Sequence, residues 1–106
     1  MKRIWLNDNK HWFDHDNAFP FHEDRIWDGS NLISVNTLDS FCRQILYLTC
    51  HSWVLATIGY GQEDYEKVSD AEAVAWLARN GFDESEIAIP SRCRVLIEEH
   101  LANTEV

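Results

Sequence analysis

The sequence predicts an α+β domain in which an antiparallel sheet of about four strands carries two helices packed on one face. Three observations predict it. Gln44–Cys50 and Trp53–Ile58 are rich in β-branched and aromatic residues, and only His51-Ser52 separates them, a link short enough for an antiparallel hairpin. Ser69-Asp70-Ala71-Glu72 is a capping box that opens a run with Ala73, Val74, Trp76 and Leu77 on one helical face. Cys93, Leu96, Ile97, His100 and Leu101 recur at i, i+3, i+4, i+7 and i+8, the stripe of a second amphipathic helix.

Taken in chain order, Met1–Leu6 reads as a short strand and Asn7–Asn9 as a turn. His11–Glu23 reads as an irregular, aromatic and acidic stretch, since Pro20 argues against a long helix. Arg25-Ile26-Trp27 and Leu32–Val35 flank Asp28-Gly29, a hairpin signal, because glycine tolerates the positive φ of such turns. Thr37-Leu38-Asp39 begins a single helical turn or a loop. Gly59 and Gly61 break the strand begun at Trp53, and Tyr65–Val68 adds one further short strand. In the first helix Asp70 and Glu72 meet the positive end of the dipole, and Asn80-Gly81 supplies the stop. The last helix spans about Ser91–Ala102, with Pro90 just ahead of it, where a missing N–H costs little.

A chain of 106 residues fits one domain, 1–106, and 45% hydrophobic content with five tryptophans is too apolar for a disordered acidic tail. The 18 carboxylates outnumber nine Lys and Arg, giving a formal charge of -9. That balance argues against a primary DNA or RNA binder, which needs a clustered basic surface. No apolar run approaches the roughly 18–20 residues of a membrane span. Asn7, Asp8, Asn9 and Lys10 follow the basic start at once, so no signal peptide is expected. Cys42, Cys50 and Cys93 form no C-x-x-C motif, and free thiols fit a reducing, cytoplasmic setting.

The residues that carry chemistry are few. His11 and His15 stand four apart, the spacing of a metal pair on a helix, with His22 near and Asp14, Asp16 or Glu23 available to complete a site. Asn17 and Pro20 count against a helix there, and packing of Trp12, Phe13, Phe19 and Phe21 on the sheet is the plainer explanation. Cys50-His51 are adjacent, but strand alternation would send them to opposite faces, so a thiolate–base pair is not expected. Phosphate-binding glycine loops are absent from the sequence. The acids are uneven: residues 54–106 hold 11 against four basic residues, so -7 of the -9 lies there. Glu63, Asp64, Glu66, Asp70 and Glu72 form one cluster; Asp83, Glu84 and Glu86 form another. A shared acidic face would attract a basic protein surface, with aromatic residues as anchors. These eight carboxylates are the expected partner-binding residues, and no cofactor is expected. A metal-dependent enzyme built on His11, His15 and His22 is the second reading, and an accessory subunit that dimerises through exposed aromatics is the third.

Leu46-Tyr47-Leu48-Thr49, Trp53-Val54-Leu55, Tyr65–Ser69 and Glu72-Ala73-Val74-Ala75-Trp76-Leu77 together carry a resemblance. The chain resembles a group of small bacterial proteins borne on phages, plasmids and other mobile elements, with a Leu-Tyr-x-Thr strand and a capped Glu-Ala-x-x-Trp-Leu helix. The resemblance covers about residues 44–81 and implies the fold; it implies no catalytic residue. By size and charge alone, such an origin suggests an inhibitor of host nucleic-acid machinery, anti-CRISPR proteins among them.

Overall fold

Alternation along the two long apolar strands sets the layers. In a computed structural model, which describes residues 1–38, 41–86 and 88–106, strand β6 (Cys42–Leu48) pairs antiparallel with β7 (Trp53–Gly59), and β7 with β8 (Gln62–Val68). A fourth strand, β3 (Phe19–His22), closes the other edge, so the sheet order is β3-β6-β7-β8. Because side chains alternate across a pleat, Phe21, Leu46, Trp53 and Val68 fall on one face and Ile45, Tyr47, Val54, Ala56 and Tyr65 on the other.

Helix α1 (Asp70–Arg79) and helix α2 (Ser91–Thr104) cover the first face. The capping box forms as the sequence requires: Ser69 Oγ accepts from the Glu72 N–H at 3.1 Å, and Glu72 Oε1 accepts from the Ser69 N–H at 3.3 Å. Ala73, Val74, Trp76 and Leu77 are all buried, and Cys93 and Ile97 of α2 seal the same core. Gly81 takes φ +85° just past the helix, where a residue with a Cβ would be strained.

The other face is covered by a ribbon of β1 (Arg3–Trp5) and β2 (Trp12–Asp14), which drops Leu6 and Phe13 onto Tyr47, Val54 and Tyr65. A second ribbon, β4 (Arg25–Trp27) with β5 (Leu32–Ser34), forms across Asp28-Gly29. Glu23 and Asn80 tie its base to the sheet and to α1: Glu23 Oε2 accepts from Asn36 Nδ2 at 3.1 Å and from the Gln44 N–H at 3.0 Å, and Asn36 Nδ2 also donates to Asn80 Oδ1 at 3.0 Å.

Two expectations are corrected. The stretch 11–23 is not irregular: it holds β2, a single 3₁₀ turn at His15–Asn17, and edge strand β3. Pro20 is accommodated because an edge strand has one side free of ladder bonds. The last strand begins at Gln62 rather than Tyr65, so it includes the first three acids of the cluster. Thr37 and Leu38 lie in a turn outside any helix, while Asp39 lies outside the described residues. No helix among the described residues is long and apolar enough to cross a membrane.

Candidate functional site

The pleat divides the first acidic cluster. Asp64 and Glu66, opposite Thr57 and Leu55, lie on the helix-covered face; Glu63, opposite Ile58, lies on the ribbon-covered face with Tyr65 and Lys67. Tyr65 Oη donates to Glu63 Oε2 at 3.2 Å, and burial, with the Glu63 charge beside it, pushes the tyrosine pKa up to about 12. All three acids are exposed on the outermost strand, and none has a cation within ion-pair distance among the described residues. Asn7 occupies part of that edge: its N–H donates to the Tyr65 carbonyl at 2.8 Å, and its Oδ1 accepts from the Tyr65 N–H at 2.9 Å.

Of the remaining acids, Asp70, Glu72, Asp83 and Glu86 have carboxylates used within the chain. Asp70 accepts from Trp53 Nε1 at 2.9 Å and from Arg92 Nε at 3.3 Å, which anchors the core tryptophan and α2. Glu72 completes the capping box. Asp83 accepts from the Ser85 hydroxyl and N–H, which holds its carboxyl below the usual range. Glu84 offers its backbone carbonyl to Arg94 at 3.3 Å, and the Glu86 carbonyl accepts from the Ile89 N–H at 3.2 Å, so these two mainly shape the loop between the helices.

Aromatic exposure sorts the tryptophans. Trp53 and Trp76 are core, whereas Trp5, Trp12 and Trp27 are exposed. Phe41 and Tyr60, at 75% and 72% exposure, have ring centroids 6.2 Å apart at the end of the sheet where β8 begins. Tyr60 lies in the turn that leads into β8 and its acids, and Phe41 reaches it from just before β6, a neighbour that no short-range motif announced.

The histidines separate. His11 Nδ1 lies 2.6 Å from Asp8 Oδ2 in the β1–β2 turn. His15 lies 3.3 Å from Tyr47 Oη and beside the Phe13 ring. His22 sits on β3 opposite Ile45. Among the described residues no three His, Cys, Asp or Glu side chains are grouped to hold a metal.

Cys50 and His51 lie in the turn between β6 and β7, not on a strand, so alternation does not separate them. Thr49 organises this turn: its Oγ1 accepts from the Ser52 N–H at 2.9 Å and donates to the Ser52 carbonyl at 2.9 Å. The turn forms one wall of a cleft of about 600 Å³ against the β1–β2 ribbon. Leu6, Trp12, Phe13 and Val54 supply its apolar surface; His51 and Lys67 are among its polar lining. Cys93 and Cys42 are buried and half-buried, and Cys50 is exposed. No family model, curated protein or solved structure matches the chain.

Proposed function

We propose that this protein is a non-enzymatic acidic binding protein that docks on a basic protein surface, of the kind that otherwise holds nucleic acid. The observation that carries the reading is the exposed Phe41–Tyr60 pair at the turn into β8, the outermost strand, which carries the exposed Glu63, Asp64 and Glu66, acids without an ion-pair cation among the described residues. Exposed rings supply desolvated contact area, and the carboxylates around them attract and orient a cationic partner. Asp70 and Glu72 drop out of the contact set because helix capping and the Trp53 and Arg92 contacts use them. A mobile-element inhibitor, anti-CRISPR proteins included, is the biological setting that the sequence resemblance and the charge suggest for such a surface.

The test compares immobilised native chain with a Glu63→Lys/Asp64→Lys/Glu66→Lys variant and a Tyr60→Ala variant in capture from host lysate at low and high salt. The expected result is a basic protein retained by the native chain, released by salt, and lost with either variant. Retention that is equal across all three proteins overturns the reading, provided circular dichroism shows the variants folded.

A further inference from the structure

The cleft beside the 49–52 turn lies at the opposite end of β7 from the Phe41–Tyr60 pair. Its construction follows from register. Tyr47, Val54 and Lys67 stand abreast on β6, β7 and β8, all on the ribbon-covered face. The ribbon nearly closes over this row: Leu6 and Phe13 pack on it and leave Val54 2% exposed, while Trp12 at the side is 43% exposed and Lys67 is exposed. The open apolar wall of the cleft is therefore Trp12, set against Lys67 by strand pairing.

The charges around the floor are unequal in their freedom. Asp14 accepts from the backbone N–H groups of Lys2 at 3.2 Å and Asp16 at 3.1 Å and from the Asn17 amide, so its acceptor capacity is largely used. His11 is held by Asp8 at 2.6 Å. The Lys67 ammonium and the His51 ring make no ion pair or side-chain hydrogen bond among the described residues. Lys67 thus stands at the rim of the cleft opposite Trp12. Its charge complements an anion, while the Trp12 ring complements hydrocarbon.

We propose that this cleft binds a small monocarboxylate with an apolar body, the carboxylate at Lys67 and the body against Trp12. A volume of about 600 Å³ suits a ligand of that class. The pairing is charge-assisted, and water excluded from the exposed Trp12 ring adds the hydrophobic part. This inference stands apart from the docking surface, since the two share no residue.

Octanoate and octylammonium, both below their micellar concentrations, are titrated into isotope-labelled protein and followed by amide chemical shifts. Octanoate is expected to give saturable shifts at Leu6, Trp12, residues 49–52, Val54 and Lys67, and to slow alkylation of Cys50 by iodoacetamide. Octylammonium is expected to give neither. Lys67→Met, an exposed substitution, is expected to weaken octanoate binding about tenfold. Absence of saturable shifts in the cleft, an equal response to both amphiphiles, or unchanged affinity in Lys67→Met overturns the proposal. A Trp12→Ala variant that folds and still binds with full affinity also counts against it.

Discussion

Glu23 is one of the carboxylates that the sequence offers to a metal site, and its neighbours assign it a different task. Its side chain is 5% exposed, and Oε2 accepts from the Ser34 hydroxyl, the Asn36 amide and the Gln44 N–H, while Oε1 faces Arg25 Nε at 3.7 Å. Glu23→Ala strands the Ser34 hydroxyl and the Gln44 N–H, removes one of two acceptors of the Asn36 amide, and is expected to lower stability by about 3 kcal/mol, read from urea unfolding; Glu23→Gln keeps an acceptor and costs less. Asp8 provides a second test at this scale. The His11 side chain, then the Lys10 N–H, hold its carboxyl down at about 2 against the ordinary 3.8. A depressed folded value means the turn's contribution is complete above about pH 4 and is lost as pH falls through 2. Amide shifts of Lys10 and His11 are expected to titrate near pH 2, and Asp8→Asn is expected to abolish that step.

At the scale of elements, legibility follows sequence distance. The cap of α1 involves Ser69 and Glu72, three residues apart, so both the start and the buried face of that helix are readable from the sequence. Strand β3 is not readable, because Phe19 pairs with Leu48 and Phe21 with Leu46, and the Pro20 within it is tolerated only on an edge that the distant partner defines. The acidic cluster looks like one surface in sequence, yet strand geometry splits Glu63 from Asp64 and Glu66. Gly59 is a comparable case: a Cβ there would stand 2.5 Å from Cys42 Sγ and 2.8 Å from the Phe41 carbonyl oxygen. Gly59→Ala is expected to cost about 2 kcal/mol in denaturant unfolding by forcing β6 and β7 apart, an effect larger than the roughly 1 kcal/mol of Ser69→Ala.

Across the whole molecule, charge and shape act together. The chain extends 40 × 39 × 21 Å, a flattened body with the sheet as its middle layer and a core on each face. Against a net charge of -9, only two Arg–carboxylate pairs, Arg25–Glu23 and Arg92–Asp70, supply close local attraction among the described residues. Self-repulsion therefore opposes the folded state, and salt relieves it. Raising NaCl from about 0.01 to 0.1 M shortens the screening length from about 30 to 10 Å, so Tm is expected to rise over that range in thermal denaturation. A Tm that falls with salt would mean that the few local pairs outweigh the general repulsion.

By itself the sequence determined the α+β class, the central hairpin, the Asp28-Gly29 ribbon, the two helices with their buried faces, and the excess of acid in the second half. Each of these depends on composition or on contacts within a few residues. Tertiary structure alone decided that segment 19–22 enters the sheet, which carboxylates are already bound to partners, and that Phe41 meets Tyr60 at the turn into β8. It also decided that Lys67, Val54 and the 49–52 turn meet Trp12 across a cleft. Those outcomes rest on pairings between distant strands, and the register of such pairings selects which side of a pleat each side chain takes.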